Sequence, residues 1–411
     1  MRAGLQAFGA LALSHSTATE DYPRKHSSLS TTTAVCRHES TKSLEESHGR
    51  KKRFPLLLHH DTEASTSSDI PYSPSSLTSA DAIVHLEYDP AQIPAKPTQD
   101  GSWTRFICIS DTHSRTFNVP DGDVLLHSGD LTPTGSVEHF KRTMEWLYKL
   151  PHAHKIIIAG NHDLPLHNDW YETNHDRWHT RGKQPLEPIL DMLKGDKAKR
   201  HRIVYLQDER YEFRVDGRTW SVYGSPWSPE FFNWAFNYTS DEAEGIISRL
   251  PPTDILLTHG PPYKVFDRVK LGDNVGCQVL ARRLPQLRPR LHVFGHIHEA
   301  HGAQIVDWDT TPDLANFVDD TEWDVSSDVT IHSAGSANED IAMELQPKEP
   351  SGFTTPSETT SATDENTASG GRFTVFANAA NWPSGARASR DGARVPFAGP
   401  GFQPIIVDLR N

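Results

Sequence analysis

From Trp103 onward the chain alternates short apolar runs with polar turns. RFICIS (Arg105–Ser110) leads into DTHSR, and DVLLH (Asp123–His127) leads into SGD. KIIIA (Lys155–Ala159) leads into GNHD, DILLT (Asp254–Thr258) into HGPP, and LHVF (Leu291–Phe294) into GHIH. Short Ile/Val/Leu runs bounded by Gly or Pro read as buried strands. Stretches of helical period lie between them. In SVEHFKRTMEWLYKL, Val137, Phe140, Met144 and Leu147 share one face. SDEAEGIISRL opens with Ser240 as a predicted N-cap and two acids in the first turn. VGCQVLARRL (Val275–Leu284) reads as another helix. Strands alternating with helices predict an α/β domain over residues 101–411. RFTVFANAA (Arg372–Ala380) and QPIIVDL (Gln403–Leu409) read as later strands that rejoin the sheet.

Two stretches lack any such period. Residues 1–100 are rich in Ser, Thr, His and Pro, and bury too little apolar surface to offset ordering entropy. They are expected to be mostly disordered, with AIVHLEY (Ala82–Tyr88) the one candidate strand. Residues 347–371 are of low complexity and are expected to form a disordered insertion, since ordinary connections are far shorter. No internal repeat is found.

Charge and cysteine content narrow the class. The 41 Lys and Arg against 54 Asp and Glu leave a net charge of −13. That argues against a general polyanion binder, or a nuclease with a long backbone contact, because such affinity rests on basic residues. Cys36, Cys108 and Cys277 are odd in number and widely spaced, which is no disulfide framework and points to a reducing, cytoplasmic location. The basic run GRKKRF (Gly49–Phe54) reads first as a solvated cluster and second as a nuclear address. The opening MRAGLQAFGALALSHS is interrupted by Gln6 and two glycines, so a signal peptide is not expected. No run approaches the ~20 apolar residues of a membrane span, and no membrane partner is expected.

Candidate chemistry gathers at the ends of the five apolar runs. In open α/β sheets, functional groups sit beyond the carboxyl ends of strands. The groups there are Asp111, His113, Asp130, Asn161, His162, His259, His296 and His298. Carboxylate, imidazole and amide without thiolate suit a hard or borderline divalent metal. One catalytic metal takes about three protein ligands, so this set fits two metals roughly 3.5–4 Å apart. In an extended chain, His296 and His298 would face one side about 6.5–7 Å apart, each serving one metal. Two divalent cations outweigh the two aspartates and a shared hydroxide by about one positive charge, so the pocket should draw an oxyanion.

These residues resemble the calcineurin-like metallophosphoesterase superfamily. Its pattern is D-x-H, G-D, G-N-H-D/E, H and G-H-x-H, matched here by Asp111-Thr-His113, Gly129-Asp130, Gly160-Asn161-His162-Asp163, His259 and Gly295-His296-Ile297-His298. Within it, the stretches ISDTHSR, GDVLLHSGDLTPTG and LHVFGHIHEAHG look most like the metallophosphoesterase-domain-containing 239 family. The resemblance covers about residues 101–345 and 372–411. It implies two packed mixed β-sheets flanked by helices, a four-layer sandwich. It implies that Asp111, His113 and His298 hold one metal, that Asn161, His259 and His296 hold the other, and that Asp130 bridges. His162 would serve as proton donor to the leaving oxygen or as a stabiliser of charge on phosphorus, with Asp163 able to orient its ring. The metals could be Mn, Fe, Zn, Mg, Co or Ni.

The implied activity is hydrolysis of a small-molecule phosphoester by a metal-activated hydroxide. Ser/Thr protein phosphatases of the superfamily carry arginines in D-R-G and R-G-N-H-E. The matching stretches here read GDLTPTG and AGNHD, which favours a phosphodiesterase over a phosphoprotein phosphatase. A phosphomonoesterase and a weakly active scaffold of the same fold are the alternatives. Some animal relatives replace the first histidine of G-H-x-H, whereas this chain keeps His296.

Asn168–Thr180 and Gly224–Asn237 are aromatic-rich and read as pocket walls, with Trp170 and Trp227 as candidate stacking faces and Arg115 as a candidate phosphate contact. Phe231, Phe232 and Phe236 are expected to pack the second loop onto the domain. His167, His175, His179 and His301 are expected to be solvated rings, and Cys108 to be core.

Overall fold

The computed structural model describes residues 70–98, 102–314 and 371–411. The basic run Gly49–Phe54, Cys36 and all but the last residue of the expected insertion lie outside them. In chain order the first strands are β1 (Ser75–Thr78), β2 (Ala82–Glu87), β3 (Trp103–Ile109), β4 (Val124–Ser128), β5 (His154–Ile158) and β6 (Ile203–Leu206). There follow β7 (Glu209–Val215), β8 (Arg218–Ser225), the short pair β9 (Ser228–Pro229) and β10 (Asn237–Tyr238), β11 (Ile255–Thr258) and β12 (Leu291–Phe294). The last are β13 (Gly302–Asp307), β14 (Phe373–Asn378), the short pair β15 (Ser389–Arg390) and β16 (Ala393–Arg394), and β17 (Ile405–Arg410).

Two mixed sheets result, in the orders β1-β2-β17-β3-β4-β5-β6 and β13-β14-β12-β11-β8-β7. Each has a parallel core, β3 to β6 in the first and β14, β12, β11 and β8 in the second; antiparallel strands flank it on one side in the first sheet and on both sides in the second. The apolar runs are uninterrupted because these strands are covered on both faces. Phe106, Cys108, Leu126 and Ile156 of the first sheet meet Trp220, Val222, Leu257, Val293 and Val375 of the second. Phe106 and Trp220 pack edge to face across that seam at 5.0 Å.

The outer faces carry the helices. Ile107, Leu125 and Ile157 pack on Phe140, Met144 and Leu147 of α1 (Val137–Lys149). After the short α2 (Asn168–Asn174), α3 (Leu186–Lys194) adds Ile189 and Leu193, and α4 (Asp196–Arg200) adds Ala198. On the second sheet, Leu256, Phe294 and Phe376 pack on α5 (Ser240–Ile247) and α6 (Gln278–Leu287). The layers are therefore helix, sheet, sheet, helix, as the family resemblance implied. No helix among the described residues is long and apolar enough to cross a membrane.

Several local expectations change. Strand β2 is the expected candidate at Ala82–Tyr88 and pairs with β17, whereas β1, which pairs with β2 at the sheet edge, is not among the expected strands. Helix α5 is capped by Thr239 and not by Ser240, because Thr239 and Glu242 form a reciprocal capping box. Helix α6 starts at Gln278 and not at Val275. Cys277 is extended (φ −80°, ψ 114°) and acts as the N-cap, its Sγ accepting the Leu280 N–H at 3.3 Å, so the residues before it lie outside the helix.

Candidate metal centre

The parallel strands β3, β4, β5, β11 and β12 end on one side of the molecule, and each motif follows directly. Asp111 lies two residues beyond β3, Asp130 two beyond β4, and His259 immediately after β11. The loops are laced together by backbone bonds: Asp111 N–H to Gly129 O at 3.0 Å, His113 N–H to Asp130 O at 3.0 Å and Gly295 N–H to His259 O at 3.1 Å. These turns are tight enough to place Asp111 (φ 55°), His113 (φ 46°), Asp130 (φ 52°) and His296 (φ 69°) in the left-handed region. Such conformations cost about 1–3 kcal/mol each outside glycine and persist where a site demands them. Gly295 has no alternative residue: a Cβ there would stand 2.1 Å from Asp111 Oδ2 and 2.2 Å from Ser110 Oγ.

Asp111, His113, Asp130 and His298 bring one ligand atom each within 4.8 Å of one another. His298 Nε2 is 3.2 Å from Asp111 Oδ1 and 3.5 Å from His113 Nε2. On the other side, His259 Nε2 lies 2.8 Å from Asn161 Oδ1, and the His296 ring lies 5.0 Å from that of His259. Asp130 stands between the groups. Its Oδ2 is 3.7 Å from His113 Nε2, and its Oδ1 is 3.4 Å from His259 Nε2. His296 and His298 do reach different groups, but not from an extended chain. His296 is left-handed and His298 opens a short 3-10 turn, so their separation comes from a twist rather than from the period of a strand.

The protonation chemistry of this set fits cations. Burial lowers His113, His259 and His296 below the usual imidazole range and brings His162 to about 4. A neutral His259 has one ring N–H. Its Nδ1 faces the Ser128 carbonyl at 2.9 Å, while its Nε2 faces two more acceptors, Asn161 Oδ1 and Asp130 Oδ1. One proton cannot serve both sides, whereas a cation near Nε2 satisfies three lone pairs together. Burial and the nearby Asp111 and Asp163 push the Asp130 carboxyl well up, a penalty that positive charge removes. The residues present thus fit a divalent metal in donor type and arrangement.

His162 faces this cluster from outside it. Its Nδ1 donates to the Pro133 carbonyl at 2.8 Å, which leaves Nε2 toward Asp130, 3.9 Å from Oδ2. Trp234 stacks on the ring at 4.1 Å and 29°. Asp163 does not orient the ring as expected. Its carboxylate accepts from the N–H groups of Gly160, Leu131 and Thr132 and from the Thr132 hydroxyl, at 2.7–3.0 Å. Its geometry makes it the clamp between the GNHD turn and the loop carrying Asp130.

The remaining candidates are scattered. Trp170 and Trp227 gather around His167, and their indole N–H groups are bonded to Asn233 and Asp208. Arg115 lies over Trp382. Phe236 packs as expected, whereas Phe231 and Phe232 are 56% and 67% exposed. His301 is buried, not solvated, with Nδ1 bonded to the Ala380 carbonyl at 2.9 Å. Sequence reasoning passed over Trp382, which touches His113 and His298 of the cluster, and Trp234, which stacks on His162 beside it. Trp234 lies inside the aromatic-rich stretch Gly224–Asn237, whose pattern gives no sign of which ring points inward.

Comparison with known proteins agrees with this geometry. A family model for calcineurin-like phosphoesterases matches residues 104–300. Metallophosphoesterase domain-containing protein 1 of Homo sapiens is 39% identical over 218 residues, 51% of this chain and 65% of that protein. A UPF0046 protein of Caenorhabditis elegans is 34% identical over 215 residues, 51% of this chain and 69% of that protein. A probable rhamnogalacturonate lyase C of Emericella nidulans is 36% identical over 222 residues, 52% of this chain but 19% of that protein. This chain therefore matches just under two thirds of the human relative's length. The residues matched by the family model include every candidate ligand from Asp111 to His298, and the chain belongs to the calcineurin-like phosphoesterase family.

Proposed function

We propose that this chain is a metal-dependent phosphodiesterase that hydrolyses a small organic phosphate or nucleotide at a dinuclear centre. One observation carries the reading: the two carboxylate oxygens of Asp130 face different imidazoles, His113 on one side and His259 on the other. That arrangement suits a carboxylate shared by two cations, with Asp111, His113 and His298 around the first and Asn161, His259 and His296 around the second. Divalent metals at such a site supply an activated hydroxide near neutral pH and a Lewis acid for the phosphate oxygens.

The chain's own residues do the rest. His162 presents Nε2 from beside the ligand cluster, where it can hold the proton that the leaving oxygen takes. The Pro133 carbonyl keeps Nδ1–H occupied, so only Nε2 is offered. An anionic substrate beside the ring offsets its burial and favours the protonated form. The preference for diesters rests on what the loops lack: Gly129–Gly135 and Ala159–Asp163 contain no arginine to grip a terminal phosphate dianion.

Elemental analysis combined with hydrolysis assays tests this reading. About two metals per chain are expected, with bis-p-nitrophenyl phosphate turned over faster than p-nitrophenyl phosphate and chelator abolishing both. The reverse substrate order would make the chain a phosphomonoesterase. No bound metal and no turnover across a metal panel would leave only a scaffold.

A further inference from the structure

The ligand cluster ends on one side at an indole. Trp382 lies edge-on to His113, with ring centroids 5.3 Å apart at 89°, and nearly parallel to His298 at 6.2 Å and 29°. The Arg115 guanidinium stands 4.6 Å from the centroid of Trp382 and 5.5 Å from that of Phe397. Phe397 packs on Trp382 at 5.7 Å and on Phe117 at 5.5 Å, and Phe117 meets Trp146 at 5.2 Å. An aromatic path therefore leads from the ligands to a shallow recess between Phe117, Val119, Trp146 and Leu150.

Trp382 is not placed like a core residue. Trp220 and Trp308 are 0% and 1% exposed, whereas Trp382 and Phe397 are both partly open to solvent. It is nonetheless firmly held. The neighbouring Asn381 is fully buried, accepts the Ser110 N–H at 3.3 Å through Oδ1 and donates to the Phe402 carbonyl at 2.9 Å. Its own N–H reaches the Ser110 carbonyl at 3.0 Å. Ser110 directly precedes Asp111, so the indole is fixed relative to a ligand carboxylate. Pro383, buried, stiffens the other flank. A partly exposed indole, held in place next to the candidate metal ligands and braced by a guanidinium, is suited to meeting a flat π-system.

We propose that Trp382 is a specificity-determining residue that receives the planar, π-rich organic group of the substrate, with Arg115 and Phe397 bracing the indole. The inference rests on the phosphoesterase reading above and adds a substrate class to it: esters of aryl or heteroaryl groups over those of alkyl groups.

The test uses phenylphosphonate and methylphosphonate, which carry the same anionic head on a C–P bond that resists hydrolysis. Each is titrated calorimetrically into the manganese-loaded full chain. Phenylphosphonate should bind the tighter. Trp382→Ala should weaken it by about fivefold or more while leaving methylphosphonate within about twofold, and Trp382→Phe should keep most of the preference. Equal losses for both ligands, no loss for either, or no preference in the unaltered chain would overturn the proposal. Metal content and thermal midpoint of each variant are read alongside, and Trp382→Leu, which keeps apolar bulk without a π face and should lose the preference, carries the test if the alanine variant does not fold. Since binding is read without turnover, hydrolysis of bis-p-nitrophenyl phosphate reports separately on the enzyme reading.

Discussion

Nδ1 of His162 stands 2.8 Å from the carbonyl oxygen of Pro133, and that bond decides which nitrogen the ring offers to the site. The proline lies four residues past Gly129, in the loop that also carries Asp130, so one short turn sets both a ligand and the histidine beside it. The ring adds no oxygen or nitrogen to the ligand groups described above. Replacing it should therefore separate binding of metal from turnover. His162→Ala is expected to lower kcat by about 10²–10⁴, the usual contribution of a positioned acid or base. Metal content should stay at the level of the unaltered chain. A variant with unchanged turnover would remove His162 from the mechanism.

Asp163 sits next to His162 in sequence yet acts on a different structure. Its oxygens satisfy three backbone N–H groups and one hydroxyl inside a fully buried pocket. Removing the carboxylate leaves those donors unpaired, at about 1–3 kcal/mol each. Asp163→Ala should accordingly lower the thermal midpoint far more than His162→Ala does. It should also weaken metal retention, because the turn carrying Asn161 and the loop carrying Asp130 lose their clamp. Differential scanning fluorimetry of the two variants side by side checks the ranking, and a midpoint unchanged in Asp163→Ala would contradict the clamp.

Much of this was legible in the chain because a buried parallel strand is a continuous apolar run and whatever follows it must lie at the sheet's carboxyl edge. That is why Asp111, Asp130, Asn161, His259 and His298 could be grouped before any coordinates. What stayed hidden has physical reasons. The left-handed backbone of Asp111, His113, Asp130 and His296 carries no glycine to announce it. The buried Arg105–Asp408 pair, Nε to Oδ1 at 2.8 Å, joins residues 303 apart because β17 inserts between β2 and β3, and no local pattern encodes that strand order. Strand β1 is an exposed edge of mostly Ser and Thr, so its sequence shows no apolar alternation. Trp382 follows β14, on the far side of the low-complexity stretch, and nothing nearby marks its approach to His113.

If the candidate ligands divide between two metals around Asp130, as proposed, metal occupancy is a direct readout. His298→Ala removes a group beside Asp111 and His113, whereas His296→Ala removes one beside His259. Each single variant is expected to fall from about two metals to about one per chain. Gly295→Ala, which alters no ligand, should reduce both, since its Cβ would stand 2.1 Å from Asp111 Oδ2. Elemental analysis after gel filtration checks all three. Full occupancy in Gly295→Ala would mean that the loop yields more readily than its packing indicates.

Acid should weaken the fold through histidines that take no part in the centre. Burial lowers His152 to about 4 and His292 to about 3, against an ordinary value of about 6.5. For His152 the Pro120 carbonyl, Asp121 and Asp123 act to raise it and Lys155 to lower it further, but burial dominates. Both rings are neutral in the folded chain while the unfolded chain binds protons. The stability they support is whole above about pH 6.5 and is lost as pH falls toward about 4 for His152 and about 3 for His292, at up to about 1.4 kcal/mol per pH unit per ring. Urea unfolding of the chelator-treated chain between pH 7.5 and pH 4.5 should show that slope. His152→Gln keeps an N–H donor for the Pro120 carbonyl, now 3.1 Å from the ring Nε2, but cannot titrate. It should flatten the profile by close to one proton's contribution, and an unchanged slope would show that His152 already binds its proton in the folded state.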